Sequence, residues 1–190
     1  YYGHKGIYGK ILHLTGCDYY RGAALLASKA SVYSGSGVVC VCSSKKVIDA
    51  LAIVTPECTS KLRNSKLGQE LFYDRDAILI GSGLGLNEQS EQYVIDTLQY
   101  ANCPIVIDAD GLTIAAKHLD LLKECPVPII LTPHFGEFKR LCAYDDELDM
   151  IDKVGGFARK YGVTVVLKGP NTLITDGRET YRNITANKAI

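Results

Sequence analysis

The chain has 190 residues, of which 47% are apolar and 22% are charged. These values argue against a disordered chain, and the length predicts a single domain. Basic and acidic residues number 21 each, so the net charge is zero. Nucleic-acid-binding proteins normally have a basic excess, so nucleic acid is not an expected partner. A membrane is not expected either, because no apolar run approaches the ~18 residues of a span.

The seven cysteines do not form a recognisable disulfide or zinc pattern. Their number is odd, there is no C-x-x-C pair, and Cys40 and Cys42 alternate along an apparent strand. Free cysteines are usually buried and behave as small hydrophobic residues. The sequence therefore predicts reduced thiols in the cytoplasm.

Apolar, β-branched runs alternate with helical patterns along the chain. Strands are predicted at 11–14, 37–42, 77–80, 104–107, 129–131 and 163–167, and a closing hairpin at 171–175 and 180–183. Helices are predicted at 22–34, 45–52, 90–100, 112–123, 135–143 and 147–161. This order is typical of a three-layer α/β/α domain with a mostly parallel sheet and helices on both faces. The hairpin would form an antiparallel edge.

Polar and glycine-rich segments recur where the predicted strands end. They are GSGLG (81–85), DADG (108–111), TPHFGE (132–137) and KGPNT (168–172). In an open parallel sheet, the carboxyl ends of the strands line the ligand crevice. The sequence therefore predicts that the four segments border one pocket.

The glycines of GSGLG have two possible roles. Gly81, Gly83 and Gly85 either form a tight turn or let backbone N–H groups approach an anion. Leu86 occupies the sixth position of the motif, so a dinucleotide-binding fingerprint is excluded.

The last two segments, TPHFGE and KGPNT, contain a histidine and a lysine. His134 either caps a helix or hydrogen-bonds a ligand without carrying charge, and Glu137 favours the helix dipole. Lys168 ends an apolar strand before Gly169, where it either extends into solvent or meets a phosphate. Thr172 could add a hydroxyl.

Asp108 and Asp110 alternate in side-chain direction, so one of them is expected to face the crevice. Asp110 either binds Mg²⁺ through water or caps the following helix, and the cap is the more common role. No direct metal ligand is assigned.

Several segments, taken together, resemble the ADP- or ATP-dependent NAD(P)H-hydrate dehydratases, which are cofactor-repair enzymes of the ribokinase-like superfamily. They are HKGIYGKILHLTG (4–16), YRGAALLASKASVYSGSGVV (20–39), GSGLG (81–85), VIDADGL (106–112), LTPHFGEFKRL (131–141), LKGPNT (167–172) and NITAN (183–187). The combination of LTPH-x-GE with an HKG-x-x-G start is specific to this family within the superfamily.

The resemblance implies a hydro-lyase that uses phosphoryl transfer from ADP or ATP, with Mg²⁺, to expel the hydroxyl of hydrated NADH or NADPH. It implies substrate contacts at Ala23, Gly83, Gly85 and His134. It implies nucleotide contacts at Lys168, Gly169, Pro170, Asn171 and Thr172. Supporting roles would fall to Asp110, Glu137 and Asn187. A homo-oligomer such as a tetramer is also implied.

Two departures from the family pattern matter. Ser82 replaces the proline of G-P-G, and Ala186 replaces the glycine of N-x-T-G-N. The family's G-G-x-G-D stretch, its catalytic aspartate and the helices that follow would lie beyond Ile190, so the catalytic residue is unknown. Residues 183–190 are expected to run into the crevice. A vitamin-precursor kinase and a catalytically dead nucleotide-binding protein remain alternatives.

Overall fold

The computed structural model describes residues 3–63, 67–142 and 149–185. The strands in chain order are β1 (Lys10–Leu14), β2 (Val38–Ser43), β3 (Thr59–Leu62), β4 (Ala77–Ile80), β5 (Ile105–Ile107), β6 (Ile129–Leu131), β7 (Thr164–Leu167), β8 (Leu173–Thr175) and β9 (Thr180–Arg182). The α-helices are α1 (Arg21–Tyr33), α2 (Lys45–Val54), α3 (Glu88–Tyr100), α4 (Asp110–Ala115), α5 (Leu119–Glu124), α6 (Phe135–Leu141) and α7 (Met150–Tyr161).

The described strands form one sheet in the order β3-β2-β1-β4-β5-β6-β7-β8-β9. Strands β1 to β7 pair in parallel, whereas β8 and β9 pair antiparallel, which confirms the predicted terminal hairpin. The chain runs from β1 outwards to β3 and then returns to place β4 on the other side of β1. This reversal makes the carboxyl ends of β1 and β4 a topological switch point, where ligands bind in such sheets.

The alternation of side chains along β2 separates two hydrophobic clusters. Val39 and Val41 pack with Ala24 of α1 and with α2. Cys40 and Cys42 point to the opposite face and join the larger core, which includes residues of α3 to α7. Helices therefore cover both faces, as the three-layer α/β/α prediction requires.

The central strands carry apolar side chains on the face that α1 and α2 share. Leu79, Val106, Ile130, Val166 and Ile174 alternate with core residues of their strands and are only half-buried. The described helices leave this part of the sheet face partly exposed.

Two elements differ from the prediction. Strand β3 was not predicted, because all four residues of this edge strand are exposed and show no apolar alternation. The predicted helix 112–123 is two helices, separated at His118, whose φ of −131° is not helical. The Nε2 atom of His118 lies 2.7 Å from Glu91 Oε1 of α3, and local periodicity cannot reveal such a tertiary contact. No helix in the described ranges is long and apolar enough to cross a membrane.

Candidate functional site

The glycine loop after β4 packs closely against the residues after β1. Gly16 donates its backbone N–H to the Ser82 carbonyl at 2.9 Å. Gly83 has a φ of +65°, and a Cβ atom there would lie 2.8 Å from the Cβ atoms of Ala23 and Tyr20. A Cβ atom would therefore displace its neighbours. The positive φ also favours glycine, because L side chains rarely adopt it. The structure thus brings together Ala23 and Gly83, two of the predicted substrate contacts.

Asp110 holds the same loop instead of capping α4. The N-cap residue is Ala109, which has a φ of 49° and no capping hydrogen bond from its side chain. The Asp110 carboxylate accepts the backbone N–H of Gly85 at 2.8 Å. The expected cap is therefore wrong, because the chain turns at Ala109 and carries the Asp110 carboxylate across to the glycine loop.

Asp108 faces the crevice and collects three hydrogen bonds. Ser82 Oγ donates to its Oδ2 at 3.0 Å, and Thr132 Oγ1 donates to its Oδ1 at 2.8 Å. Lys168 Nζ lies 2.8 Å from the same Oδ1. Burial acts to raise the pKa of Asp108, but the bonds from Lys168, Thr132 and Ser82 outweigh it and hold the pKa below its ordinary value. Asp108 is therefore an ionised carboxylate at neutral pH.

His134 is the N-cap of α6, and Glu137 completes a capping box. His134 Nδ1 accepts the backbone N–H of Gly136 at 3.0 Å, and Glu137 Oε2 accepts the backbone N–H of His134 at 2.8 Å. Because Nδ1 accepts, the neutral ring carries its proton on Nε2. The side chain is 56% exposed, so this N–H group can also meet a ligand.

The ends of β6 and β7 join His134 to Lys168. The two residues form an isolated parallel bridge, and Lys168 donates its backbone N–H to the Pro133 carbonyl at 2.7 Å. Lys168 Nζ lies 3.9 Å from Glu137 Oε2. We call this group the strand-end cluster; its members are Asp108, Thr132, His134, Glu137 and Lys168.

The predicted nucleotide segment follows the strand-end cluster. Thr172 Oγ1 donates to the Gly169 carbonyl at 3.1 Å, which closes a turn. Gly169, Pro170 and Asn171 are exposed and accessible to a ligand. Asn187 lies outside the described residues, as do the other residues of 186–190 that were expected to enter the crevice.

A cavity of about 520 Å³ opens at the switch point, beside the glycine loop. Its described lining residues come from the segments after β1 to β5: Cys17, Asp18, Tyr19, Tyr20, Ser44, Arg63, Leu84, Gly85, Leu86, Asn87 and Asp110. We call it the switch-point cavity.

The four polar segments all lie at the carboxyl ends of the strands, where they form two adjoining regions. Gly85 and Asp110 line the switch-point cavity, whereas His134 and Lys168 belong to the strand-end cluster. Ser82 connects the two regions, because it belongs to the glycine loop and bonds Asp108. Sequence reasoning missed Tyr20 and Arg63 as site residues. Tyr20 follows the predicted strand 11–14, which was a usable signal, whereas Arg63 follows β3, which was not predicted.

The part of the chain that the structure describes contains no group of three or more His, Cys, Asp or Glu residues able to hold a metal ion. Mg²⁺ seldom uses such a cage and usually binds one or two carboxylates together with substrate phosphates. Asp108 and Glu137, which flank the Lys168 ammonium, fit that mode.

Comparison with known proteins identifies the family. Residues 11–190 match the family model described as NAD(P)H-hydrate dehydratase. The chain belongs to this family. It is 34% identical to a bifunctional NAD(P)H-hydrate repair enzyme of Thermofilum pendens over 97% of its length.

Solved structures agree with this assignment. The chain superimposes with a TM-score of 0.82 and 33% identity on the ADP/ATP-dependent NAD(P)H-hydrate dehydratase of Bacillus subtilis, co-crystallised with ATP/Mg²⁺, over 97% of its length. It superimposes with a TM-score of 0.84 and 25% identity on a ribokinase-like superfamily protein of Enterococcus faecalis, also over 97%. The fold is ribokinase-like.

The chain spans only part of these proteins. It covers 38% of the Thermofilum enzyme, 67% of the Bacillus chain and 66% of the Enterococcus chain.

Proposed function

We propose that this protein catalyses the ADP- or ATP-dependent dehydration of hydrated NADH or NADPH, which restores the normal cofactor. The observation that carries the proposal is the strand-end cluster, which holds a lysine ammonium, an ionised carboxylate and an exposed imidazole N–H together. A phosphate and a hydroxyl-bearing ring can meet at such a cluster. Membership in the NAD(P)H-hydrate dehydratase family supports the proposal.

The adenine nucleotide would bind at Lys168, Gly169, Pro170, Asn171 and Thr172. The Lys168 ammonium supplies a charge for phosphate, and the exposed turn lets backbone groups approach closely. Mg²⁺ would be held by the nucleotide phosphates with Asp108 and Glu137 nearby, and it neutralises phosphate charge when bound.

The hydrated nicotinamide ring would lie between Gly83 and His134, with Ala23 and Gly85 completing its surroundings. The Nε2–H group of His134 donates to a polar group of the ring and orients it. Gly83 lets the glycine loop approach Ala23 closely, because a Cβ atom there would lie 2.8 Å from the Ala23 Cβ. Transfer of a phosphoryl group from the nucleotide converts the ring hydroxyl into a better leaving group, and electron donation from the ring nitrogen expels it as phosphate. Loss of a proton from the adjacent ring carbon then restores the double bond.

A spectrophotometric assay tests this activity. The full-length gene product is mixed with hydrated NADH, Mg²⁺ and either ADP or ATP, and the near-ultraviolet absorbance of the reduced nicotinamide is followed. We expect the absorbance to return only when nucleotide is present. Nucleotide consumption on a vitamin-precursor alcohol, with hydrated cofactor unchanged, would instead support the kinase alternative.

We also propose a cytoplasmic location and a homo-oligomer such as a tetramer. All seven cysteines are free, which suits a reducing compartment.

Leu26 and Tyr33 of α1 and Ile53 of α2 are more than 70% exposed, and apolar side chains of this size are suited to a subunit interface. Light scattering of the full-length gene product measures the oligomeric state, and a monomer would contradict the proposal.

The half-buried apolar side chains on the α1/α2 face of the central strands support a further proposal on domain organisation. We propose that residues 1–190 belong to one ribokinase-like domain, in which further helices of the full-length protein cover this face. A hydrophobic dye should bind residues 1–190 more strongly than the full-length protein, because such a face is exposed only in the former. Equal dye binding would contradict the proposal.

A further inference from the structure

The switch-point cavity is lined by a cation that forms no ion pair with its described neighbours. Arg63 is the one cation among its described lining residues. The two lining carboxylates are engaged elsewhere: Asp18 lies 2.8 Å from Lys46 Nζ, and Asp110 accepts the Gly85 N–H. Arg63 therefore forms no ion pair with the described acidic groups that share the cavity.

Arg63 has no carboxylate within ion-pair distance in the described part of the chain. Its Nη1 is buried and has no hydrogen-bond partner among those residues. A guanidinium that is partly removed from water without an anion is unfavourable, so an anionic ligand in the cavity would stabilise it.

Local packing holds Arg63 in place. Its backbone N–H donates to the Ser43 carbonyl at 2.9 Å, and its guanidinium lies 5.1 Å from the centre of the Tyr93 ring. Burial raises the pKa of Tyr93, although Arg63 opposes that rise, so the phenol is neutral and does not balance the charge. The aromatic contact orients the cation and leaves its charge for a ligand.

We propose that the switch-point cavity binds the phosphate-bearing part of the hydrated dinucleotide and that Arg63 contacts a phosphate there. This inference rests on the proposed function. The nicotinamide ring would lie at Gly83, and the cavity begins at the adjoining residues Leu84 and Gly85. A ligand anchored at the glycine loop therefore extends towards Arg63. The planar guanidinium matches phosphate oxygens with two parallel hydrogen bonds.

Two phosphate sources share this chemistry: the pyrophosphate bridge of both dinucleotides and the additional ribose phosphate of NADPH. Binding of hydrated NADH and hydrated NADPH is therefore measured separately by calorimetry, without adenine nucleotide, on the full-length protein and on Arg63→Gln. We expect Arg63→Gln to raise the dissociation constant about 10- to 100-fold, the scale of a charge-assisted hydrogen bond. An equal loss for both ligands assigns the pyrophosphate, and a loss for NADPH hydrate alone assigns the ribose phosphate.

Lys61→Gln is the matched control. Lys61 lies two residues earlier on β3, is exposed, and is not among the described residues that line the cavity. This change removes the same charge two residues from Arg63 and should alter affinity less than two-fold. Equal effects of the two variants would overturn the inference, because long-range attraction would then explain both.

Unchanged affinity in Arg63→Gln would also overturn the inference and leave Arg63 with only its contact to Tyr93. If Arg63→Gln does not fold, Arg63→Lys is measured instead. Lysine keeps the charge but loses the planar fork, so a weakening of about three-fold or more supports the inference and wild-type affinity overturns it.

The proposed function fails separately from this inference. Dinucleotide binding that depends on Arg63, without nucleotide-driven dehydration, would sustain the site while removing the activity. Dehydration in Arg63→Gln with a wild-type KM for the hydrated cofactor would sustain the activity while removing the site.

Discussion

Lys168, at the end of β7, holds its ammonium 2.8 Å from the carboxylate of Asp108, which follows β5. Strand β6 lies between these two strands, and its Thr132 donates to the same carboxylate oxygen. The pair therefore joins three strand ends at the point where a nucleotide phosphate would arrive. A bound phosphate would compete with Asp108 for the Lys168 ammonium, so this ion pair both holds the three strand ends together and opposes nucleotide binding.

The stability of the crevice should depend on Asp108. Asp108→Asn should lower the free energy of unfolding at pH 7 by about 1–3 kcal/mol, because the charged partner of Lys168 is lost. The folded-state pKa lies below the ordinary 3.8, so this contribution is present above that pH. It should disappear as the pH falls from 3.8 through the folded-state pKa.

Urea unfolding of wild type and variant at neutral and acid pH measures this difference. Asp74→Asn is the control, because Asp74 pairs with Lys10 but its side chain is 78% exposed, and its loss should have little effect. A difference between wild type and Asp108→Asn that persists undiminished in acid would show that the charge of Asp108 is not responsible.

Lys168 should matter for the nucleotide more than for the hydrated cofactor. Lys168→Ala should weaken ADP or ATP binding by roughly 1.5–3 kcal/mol, the scale of a charge-assisted hydrogen bond. Calorimetry of the full-length protein measures it, with Lys160→Ala as the control, since Lys160 lies on α7 over the Tyr161 ring. Unchanged affinity in Lys168→Ala would remove this residue from the nucleotide site.

The two roles of His134 can be separated, because asparagine caps a helix well and alanine does not. His134→Ala should lower the free energy of unfolding by about 1 kcal/mol, whereas His134→Asn should largely keep it. Both should raise the KM for hydrated cofactor and leave nucleotide affinity intact. A wild-type KM in His134→Asn would leave the residue with a capping role alone, and equal loss of both affinities would contradict the assigned contact.

Gly83 and Gly85 give a matched pair of tests. Both have positive φ, but a Cβ at Gly83 would meet two Cβ atoms at 2.8 Å, whereas the nearest atom at Gly85 is 3.7 Å away. Alanine at either site costs roughly 1–2 kcal/mol of backbone strain. Gly83→Ala should cost about 1–3 kcal/mol more through overpacking and should also raise the KM for hydrated cofactor. Thermal unfolding that ranks the two variants equally would contradict this packing.

The sequence predicted the strand ends well because buried parallel strands have continuous apolar runs that stop at glycine or polar residues. Arg63 was missed because β3 is a solvated edge strand, so no apolar run precedes this residue. The contact between Asp110 and Gly85 depends on a positive φ at Ala109. It was not predicted, because an aspartate at the start of a helix more commonly acts as the cap. The remaining errors concern tertiary contacts, such as His118 with Glu91, which leave no trace in local periodicity.

In the proposed reaction, phosphoryl transfer drives the dehydration. The most direct test counts two products in one reaction of the full-length protein with hydrated NADH, Mg²⁺ and nucleotide: restored NADH and released phosphate. Because the phosphorylated hydroxyl leaves as phosphate, we expect about one phosphate for each restored cofactor. Restoration of NADH without phosphate release, or phosphate release with the hydrate left intact, would contradict it.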